Sequence, residues 1–156
     1  MSTYLVLKMA HILGAILLLG NIVVTGWWKL MANRTGNPEI IAFAQRQVTL
    51  TDFLFTAGGS ILVFGTGIAN VLLHDIPLME TGWLLWALIM FTVSGIVWGG
   101  ILIPIQIKQA QAAREFPADM AIPASYWRRE RMWFGYGAIA IITPFISLAL
   151  MVLKPF

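Results

Sequence analysis

Residues 83–105, with the sequence WLLWALIMFTVSGIVWGGILIPI, contain no charged side chain. A helix needs about 20 mainly apolar residues to cross the ~30 Å hydrocarbon core of a membrane. In lipid every backbone N–H and C=O group must be satisfied within the structure, so such a segment is helical. A barrel strand would be shorter and would alternate apolar with polar residues. The stretch therefore predicts a transmembrane helix.

Three further apolar runs occupy about residues 4–27, 50–73 and 132–153. Hydrophobic residues make up 59% of the chain and charged residues only 11%. A soluble domain carries roughly a quarter charged residues, so a soluble enzyme is excluded. The short connection between the second and third runs favours antiparallel neighbours. We predict an all-α integral membrane protein, a single membrane domain over residues 1–156 built as a four-transmembrane-helix antiparallel bundle.

Basic residues are distributed unevenly between the two faces of this bundle. Eight lie on the face opposite the termini: Lys29, Arg34, Arg46, Lys108, Arg114, Arg128, Arg129 and Arg131. Lys8 and Lys154 lie on the face of the termini. Positive residues are retained on the cytoplasmic side, so we predict periplasmic N and C termini in a bacterial inner (cytoplasmic) membrane.

The first loop on the cytoplasmic face contains a helix start signal. Asn37 suits an N-cap, Pro38 the first turn, and Glu39 the positive end of the helix dipole. The apolar residues that follow predict a short amphipathic helix lying on the membrane surface.

Polar residues within the spans recur every three or four positions, so each span has one polar or small face. His11 lies roughly 10 Å below the periplasmic side at 1.5 Å per residue. An ionisable residue at this depth is a functional candidate, and the alternative is a buried structural histidine. Lys8 lies one turn above it and either snorkels to the headgroups or clamps an anion. Asp52 caps the helix dipole or pairs with Arg46, and Gln106 could join that polar cluster.

The residues permit haem b more readily than other chemistry. Cysteine is absent, which removes disulfides, thiolate zinc sites and iron–sulfur clusters. Helical bundles hold cofactors between facing helices, and His/His or His/Met haem ligation is common. We therefore predict His11 as an axial ligand, His74 or Met90 as the second ligand, and Lys8 near a propionate. Copper is the alternative for the same His11, His74 and Met90, with Met79 as a further thioether.

Residues 4–14, YLVLKMAHILG, residues 46–56, RQVTLTDFLFT, and the closing stretch from Trp133-Phe134 to Pro144-Phe145 resemble a bacterial family. This is the predicted integral membrane protein family known as domain of unknown function 2269. The Lys8-x-x-His11 opening is also distantly similar to CopD-like and HemJ-type four-span membrane proteins. The HemJ-type resemblance implies haem b and porphyrinogen oxidation. Spans three and four contain no histidine, so this resemblance reaches only Lys8 and His11.

The leading interpretation is an inner-membrane four-helix protein that binds haem b through His11 for redox or haem-related chemistry. The alternatives are a copper-handling transport protein and a non-catalytic membrane assembly module. A polar stripe through Asn21, Asn70, Thr66 and Asp52 also leaves room for a proton or solute path. Expected partners are the lipid bilayer, a quinone or another membrane redox protein, and a second copy of the chain, but no nucleic acid. Whether the protein is an enzyme is left open.

Overall fold

The computed structural model describes residues 3–116 and 121–155. They form four long helices: α1, Thr3–Thr35; α2, Pro38–Leu73; α3, Gly82–Ala113; and α4, Ala124–Leu153. All four are long and apolar enough to cross a membrane. The described residues include no strand. The predicted all-helical, four-span fold is confirmed, and the sidedness of its termini stays a prediction.

Each helix continues beyond its predicted span at the same end of the bundle. The extra turns follow residue 27 in α1 and residue 105 in α3, and precede residue 50 in α2 and residue 132 in α4. They lie on the predicted cytoplasmic side. The four helices therefore stay packed together beyond the segments that hydropathy selects.

The helix predicted in the first loop forms, but it does not lie apart from the bundle. The Asn37 side chain accepts hydrogen bonds from the N–H groups of Glu39 at 2.8 Å and Ile40 at 3.3 Å, as predicted for an N-cap. The helix Pro38–Thr51 then continues directly into the second span. The expectation of a separate surface helix is corrected, because Ile41 and Val48 are buried against the other helices.

Two wide turns interrupt the α-helical hydrogen bonding. Asp52–Ala57 in α2 and Trp98–Leu102 in α3 are π-helical. In α3 the cause is visible, since Pro104, two residues after the turn, has no N–H group to bond to the carbonyl of Gly100. Such π turns often occur at functional sites. Here each begins with a residue, Asp52 or Trp98, that lines a cavity between the helices.

The helices associate as two pairs, α1 with α2 and α3 with α4. In the first pair Gly14 and Gly59 let the backbones touch, because a Cβ atom added at Gly59 would lie 2.8 Å from the Gly14 carbonyl oxygen. In the second pair Ser94 donates to the Ala140 carbonyl at 2.8 Å, and Ser147 donates to the Ala87 carbonyl at 2.9 Å. Small and hydroxylated residues are usual contacts between membrane helices.

The two pairs meet mainly at their predicted cytoplasmic ends. There Pro38–Thr51 packs against Ile103–Ala113. Further along, Gly58–Leu73 and Gly82–Val97 do not pack against each other within the part of the chain that the structure describes. The pairs therefore leave a space between them.

Candidate binding cavity and polar clusters

A buried lysine connects all four helices at the predicted cytoplasmic end of the bundle. Lys29 of α1 is 1% exposed. Its Nζ atom lies 3.0 Å from Oε2 of Glu130 in α4. It also donates to Oε1 of Gln45 in α2 at 2.7 Å and to Oε1 of Gln109 in α3 at 3.1 Å. We call Lys29, Gln45, Gln109 and Glu130 the four-helix cluster.

The Glu130 carboxylate is bound as completely as the ammonium. Oε2 accepts from Gln109 Nε2, and Oε1 accepts from Asn33 Nδ2, both at 2.5 Å. Tyr126 adds a hydroxyl that donates to Gln45 at 3.3 Å. A buried ion pair is tolerated only when its remaining donors and acceptors are satisfied. The amides supply this, so the cluster is a specific junction of the four helices.

A second polar cluster lies one layer deeper and surrounds Asp52. Oδ1 of Asp52 accepts from Asn21 Nδ2 at 2.8 Å and from the Thr56 hydroxyl at 3.0 Å. Oδ2 accepts from Gln106 Nε2 at 2.5 Å. We call Asn21, Asp52, Thr56 and Gln106 the Asp52 cluster. The structure thus brings Asp52 and Gln106 together, as the sequence suggested.

Arg46 does not belong to this cluster. Its side chain is exposed, whereas Asp52 is buried. Within residues 3–116 and 121–155, the ion pair that forms is Lys29 with Glu130. The proposed pairing of Asp52 with Arg46 is therefore corrected: on the helix Arg46 faces away from the bundle, and amide and hydroxyl groups take its place.

A cavity of about 570 Å³ lies between the two helix pairs. Its walls are mainly apolar and include the aromatic rings of Phe91, Trp98, Trp133 and Phe134. Among the described lining residues Asp52 is the one with an ionisable side chain. Trp27 also lines the cavity and is 59% exposed, so this wall of the cavity reaches the outer surface of the bundle.

His11 lies inside the α1–α2 pair and away from this cavity. Its Nδ1 atom is 3.0 Å from the Thr66 hydroxyl oxygen, and its ring rests against Gly67. The Thr66 hydroxyl also lies 2.5 Å from the Leu62 carbonyl oxygen, and when its proton is directed there the imidazole Nδ1–H is the donor to Thr66. In the neutral ring the lone pair is then on Nε2.

The other predicted ligands lie elsewhere. His74 is exposed, and its Nδ1 atom is 2.9 Å from the Asn70 carbonyl oxygen. Eight residues of helix, or roughly 12 Å, separate it from Thr66, the partner of His11. Met90 lies in Gly82–Val97, which does not pack against α1 in the described residues. Lys8 is exposed, with its Nζ atom 5.9 Å from the centre of the Tyr4 ring.

The structure therefore brings neither predicted ligand pair, His11 with His74 nor His11 with Met90, into one site. Nor do the described residues contain a group of three or more histidine, aspartate or glutamate side chains that could hold a metal ion. The predicted donor set does not fit a haem held by two axial ligands.

Sequence reasoning missed the four-helix cluster. Lys29 enters the sequence prediction only as one of the eight basic residues of the cytoplasmic face, and Gln45, Gln109 and Glu130 lie outside the predicted spans. One signal was present: Glu130 is the sole acidic residue of residues 124–153 and lies among three arginines. An acidic residue in such a setting, on a helix with an apolar face, needs a cationic partner.

The four long apolar helices define a multi-pass, all-helical membrane protein. The chain belongs to the family described as "Predicted integral membrane protein (DUF2269)", whose model matches residues 5–155. No curated protein and no solved structure matches it. The predicted family membership is confirmed, whereas similarity to CopD-like or HemJ-type proteins and location in a bacterial inner membrane stay predictions.

Proposed function

We propose that the protein binds a small, mainly apolar molecule in the cavity between its helix pairs. The observation that carries the proposal is a cavity with apolar walls and one buried carboxyl group, that of Asp52. Small-molecule sites have volumes of roughly 300–1,000 Å³, and most combine apolar walls with a few placed polar groups. Trp27, which lines the cavity and is exposed at the bundle surface, marks where such a molecule would enter from the bilayer.

A continuous proton or solute path along the α1–α2 pair is less favoured. The contact between Gly14 and Gly59 lies between the His11–Thr66 hydrogen bond and the Asp52 cluster. Backbones at this separation leave no room for water between them. The polar groups of the predicted stripe are thus divided into two parts, and the part with the ionisable Asp52 faces the cavity.

Two adjacent glycines of the α3 π turn allow a matched test. Gly99 lines the cavity and Gly100 does not, and a Cβ atom at either position would meet open space. Gly99→Leu would fill part of the cavity, and Gly100→Leu would add the same side chain outside it. The assay is equilibrium dialysis of tetraphenylphosphonium, triphenylphosphine oxide and tetraphenylborate against protein in lipid nanodiscs, with empty nanodiscs as the blank.

We expect saturable binding of at least one of these three probes to the wild type and to Gly100→Leu. Gly99→Leu should weaken this binding by about tenfold, because the leucine occupies the volume that the probe needs. The proposal is overturned if no probe binds saturably, or if both glycine variants bind as the wild type does.

Haem or copper bound through His11 alone, without His74 or Met90 as a second ligand, is a second proposal, and it rests on a different observation. The Thr66 hydrogen bond engages Nδ1, so Nε2 is the ring nitrogen that would bind a metal. Its test is an oxidised-minus-reduced visible spectrum and elemental analysis of protein produced with added haem and copper. A signal lost in His11→Ala and kept in His74→Ala supports it, and a flat, metal-free wild type overturns it.

A further inference from the structure

We infer that the cavity selects lipophilic cations, with the Asp52 carboxylate as their counter-charge. This inference rests on the proposed function and adds the chemical class of the ligand. It is carried by three observations: the balance of buried charges, the hydrogen bonds of Asp52, and the aromatic walls of the cavity.

The buried charges do not balance. Among the described residues the buried side chains with a formal charge are those of Lys29, Asp52 and Glu130. Lys29 forms its ion pair with Glu130, so among the described residues the buried carboxylates outnumber the buried ammonium groups by one, and Asp52 has no ion pair of its own. An unpaired buried carboxylate is costly in a membrane protein and marks a functional site by default. A cation in the adjoining cavity would compensate it.

The hydrogen bonds around Asp52 fit an ionised carboxylate. Asn21, Thr56 and Gln106 all donate to its two oxygens. An ionised carboxylate only accepts, and a protonated one must also donate. These donors hold the group in one orientation at the cavity wall but carry no charge, so they leave the need for a cation unmet.

The cavity walls suit a cation with an apolar body. Trp98 lines the same cavity as Asp52, and Phe91, Trp133 and Phe134 form the neighbouring surface. Tryptophan faces attract cations most strongly among the aromatic rings, and sites for quaternary cations combine several such rings. In this bundle a tryptophan already binds a cation, since Nζ of Lys29 lies 4.3 Å from the centre of the Trp133 ring.

The three nanodisc probes test this selectivity because they have nearly the same shape and differ in charge. On the wild type we expect tetraphenylphosphonium to bind about tenfold or more tightly than neutral triphenylphosphine oxide, and tetraphenylborate to bind most weakly. This ranking is measured on the wild-type protein alone, so it does not depend on whether a variant folds. Asp52→Asn should lower the affinity for the cation by about tenfold or more and leave the neutral probe unchanged, since truncating one partner of a buried charge pair has an effect of this order.

The outcomes separate the charge selectivity of the cavity from its ability to bind ligands at all. If all three probes bind equally and Gly99→Leu weakens all of them, the cavity binds ligands and the charge selectivity is overturned. If no probe shows binding that depends on Gly99, the proposed function itself fails. If Asp52→Asn does not fold, Asp52→Glu, which keeps the charge, must preserve the ranking of the probes, and a lost ranking overturns the role of the carboxylate.

Discussion

Lys29 and Glu130 form an ion pair with an N–O distance of 3.0 Å, and their side chains are 2% and 4% exposed. The two residues belong to the first and last helices of the bundle. Gln45 and Gln109 bind the same ammonium from the remaining two helices. One pair of charges therefore holds together two helix pairs that separate around a cavity further along.

Removing one member of this pair should be strongly destabilising. We expect Lys29→Met and Glu130→Gln each to lower the free energy of unfolding by about 3–5 kcal/mol, because each leaves a buried charge without its partner. Arg131→Met is the control, since Arg131 is exposed on the same helix as Glu130. The measurement is unfolding in mixed micelles with increasing SDS.

The double variant Lys29→Met/Glu130→Gln tests the coupling directly. Its loss of stability should be smaller than the sum of the two single losses by at least about 1 kcal/mol, because neither charge remains to be compensated. If the loss in the double variant equals the sum of the two single losses within about 0.5 kcal/mol, the ion pair is contradicted.

The contact between α1 and α2 should tolerate no side chain at Gly59. A Cβ atom added at Gly59 would lie 2.8 Å from the backbone nitrogen of Leu18 and 2.8 Å from the carbonyl oxygen of Gly14. A Cβ atom added at Gly58 would meet open space. Gly59→Ala should therefore cost about 1–3 kcal/mol, the usual range for overpacking. Gly58→Ala should be neutral or slightly stabilising. Equal stability of the two variants, measured by the same unfolding titration, would refute the close approach.

The hydroxyl groups that join α3 to α4 should each contribute modestly. Ser94→Ala and Ser147→Ala should lower stability by about 0.6 kcal/mol each, the average for such bonds in a membrane protein. Thr92→Ala is the matched control, because its hydroxyl donates to Leu88 of its own helix and its side chain is exposed. If Thr92→Ala lowers the free energy of unfolding as much as the serine variants do, the interhelical hydrogen bonds make no specific contribution to stability.

The absence of cysteine makes the predicted orientation easy to test. Met79, which is 81% exposed in the connection between α2 and α3, and Arg114, which is exposed at the end of α3, lie at opposite ends of the bundle. With periplasmic termini, Met79→Cys reacts with a membrane-impermeant maleimide in intact spheroplasts, and Arg114→Cys reacts only after permeabilisation. The reverse pattern would invert the orientation.

The spans could be predicted because hydrophobicity acts locally along the chain. The start of α2 could be predicted for the same reason, since Asn37 caps residues two and three positions away. The ends of the helices at the predicted cytoplasmic side could not. Hydropathy falls there as polar residues appear, but Lys29, Gln45 and Gln109 find partners on other helices and the helical turns continue.

The site was predicted only in part, as the two histidines illustrate. Depth along the helices places Met90 at the level of His11 and His74 roughly 10 Å higher, so it favours Met90 as the residue that His11 meets. Depth does not determine how a helix is rotated about its axis, and α1 turns His11 towards Thr66. Asp52 and Gln106 do meet, whereas Arg46 faces outwards on the same helix as Asp52.

By itself, the sequence determined that this protein has four membrane helices, since each span follows from the free energy of placing about 20 neighbouring residues in lipid. It also determined the cap at Asn37. The tertiary structure alone decided that the helices associate in two pairs, that Lys29 belongs with Glu130, and that Asp52 faces a cavity. These arrangements join residues 16 to 101 positions apart in the chain through helix rotation and packing, which local hydropathy and spacing do not specify.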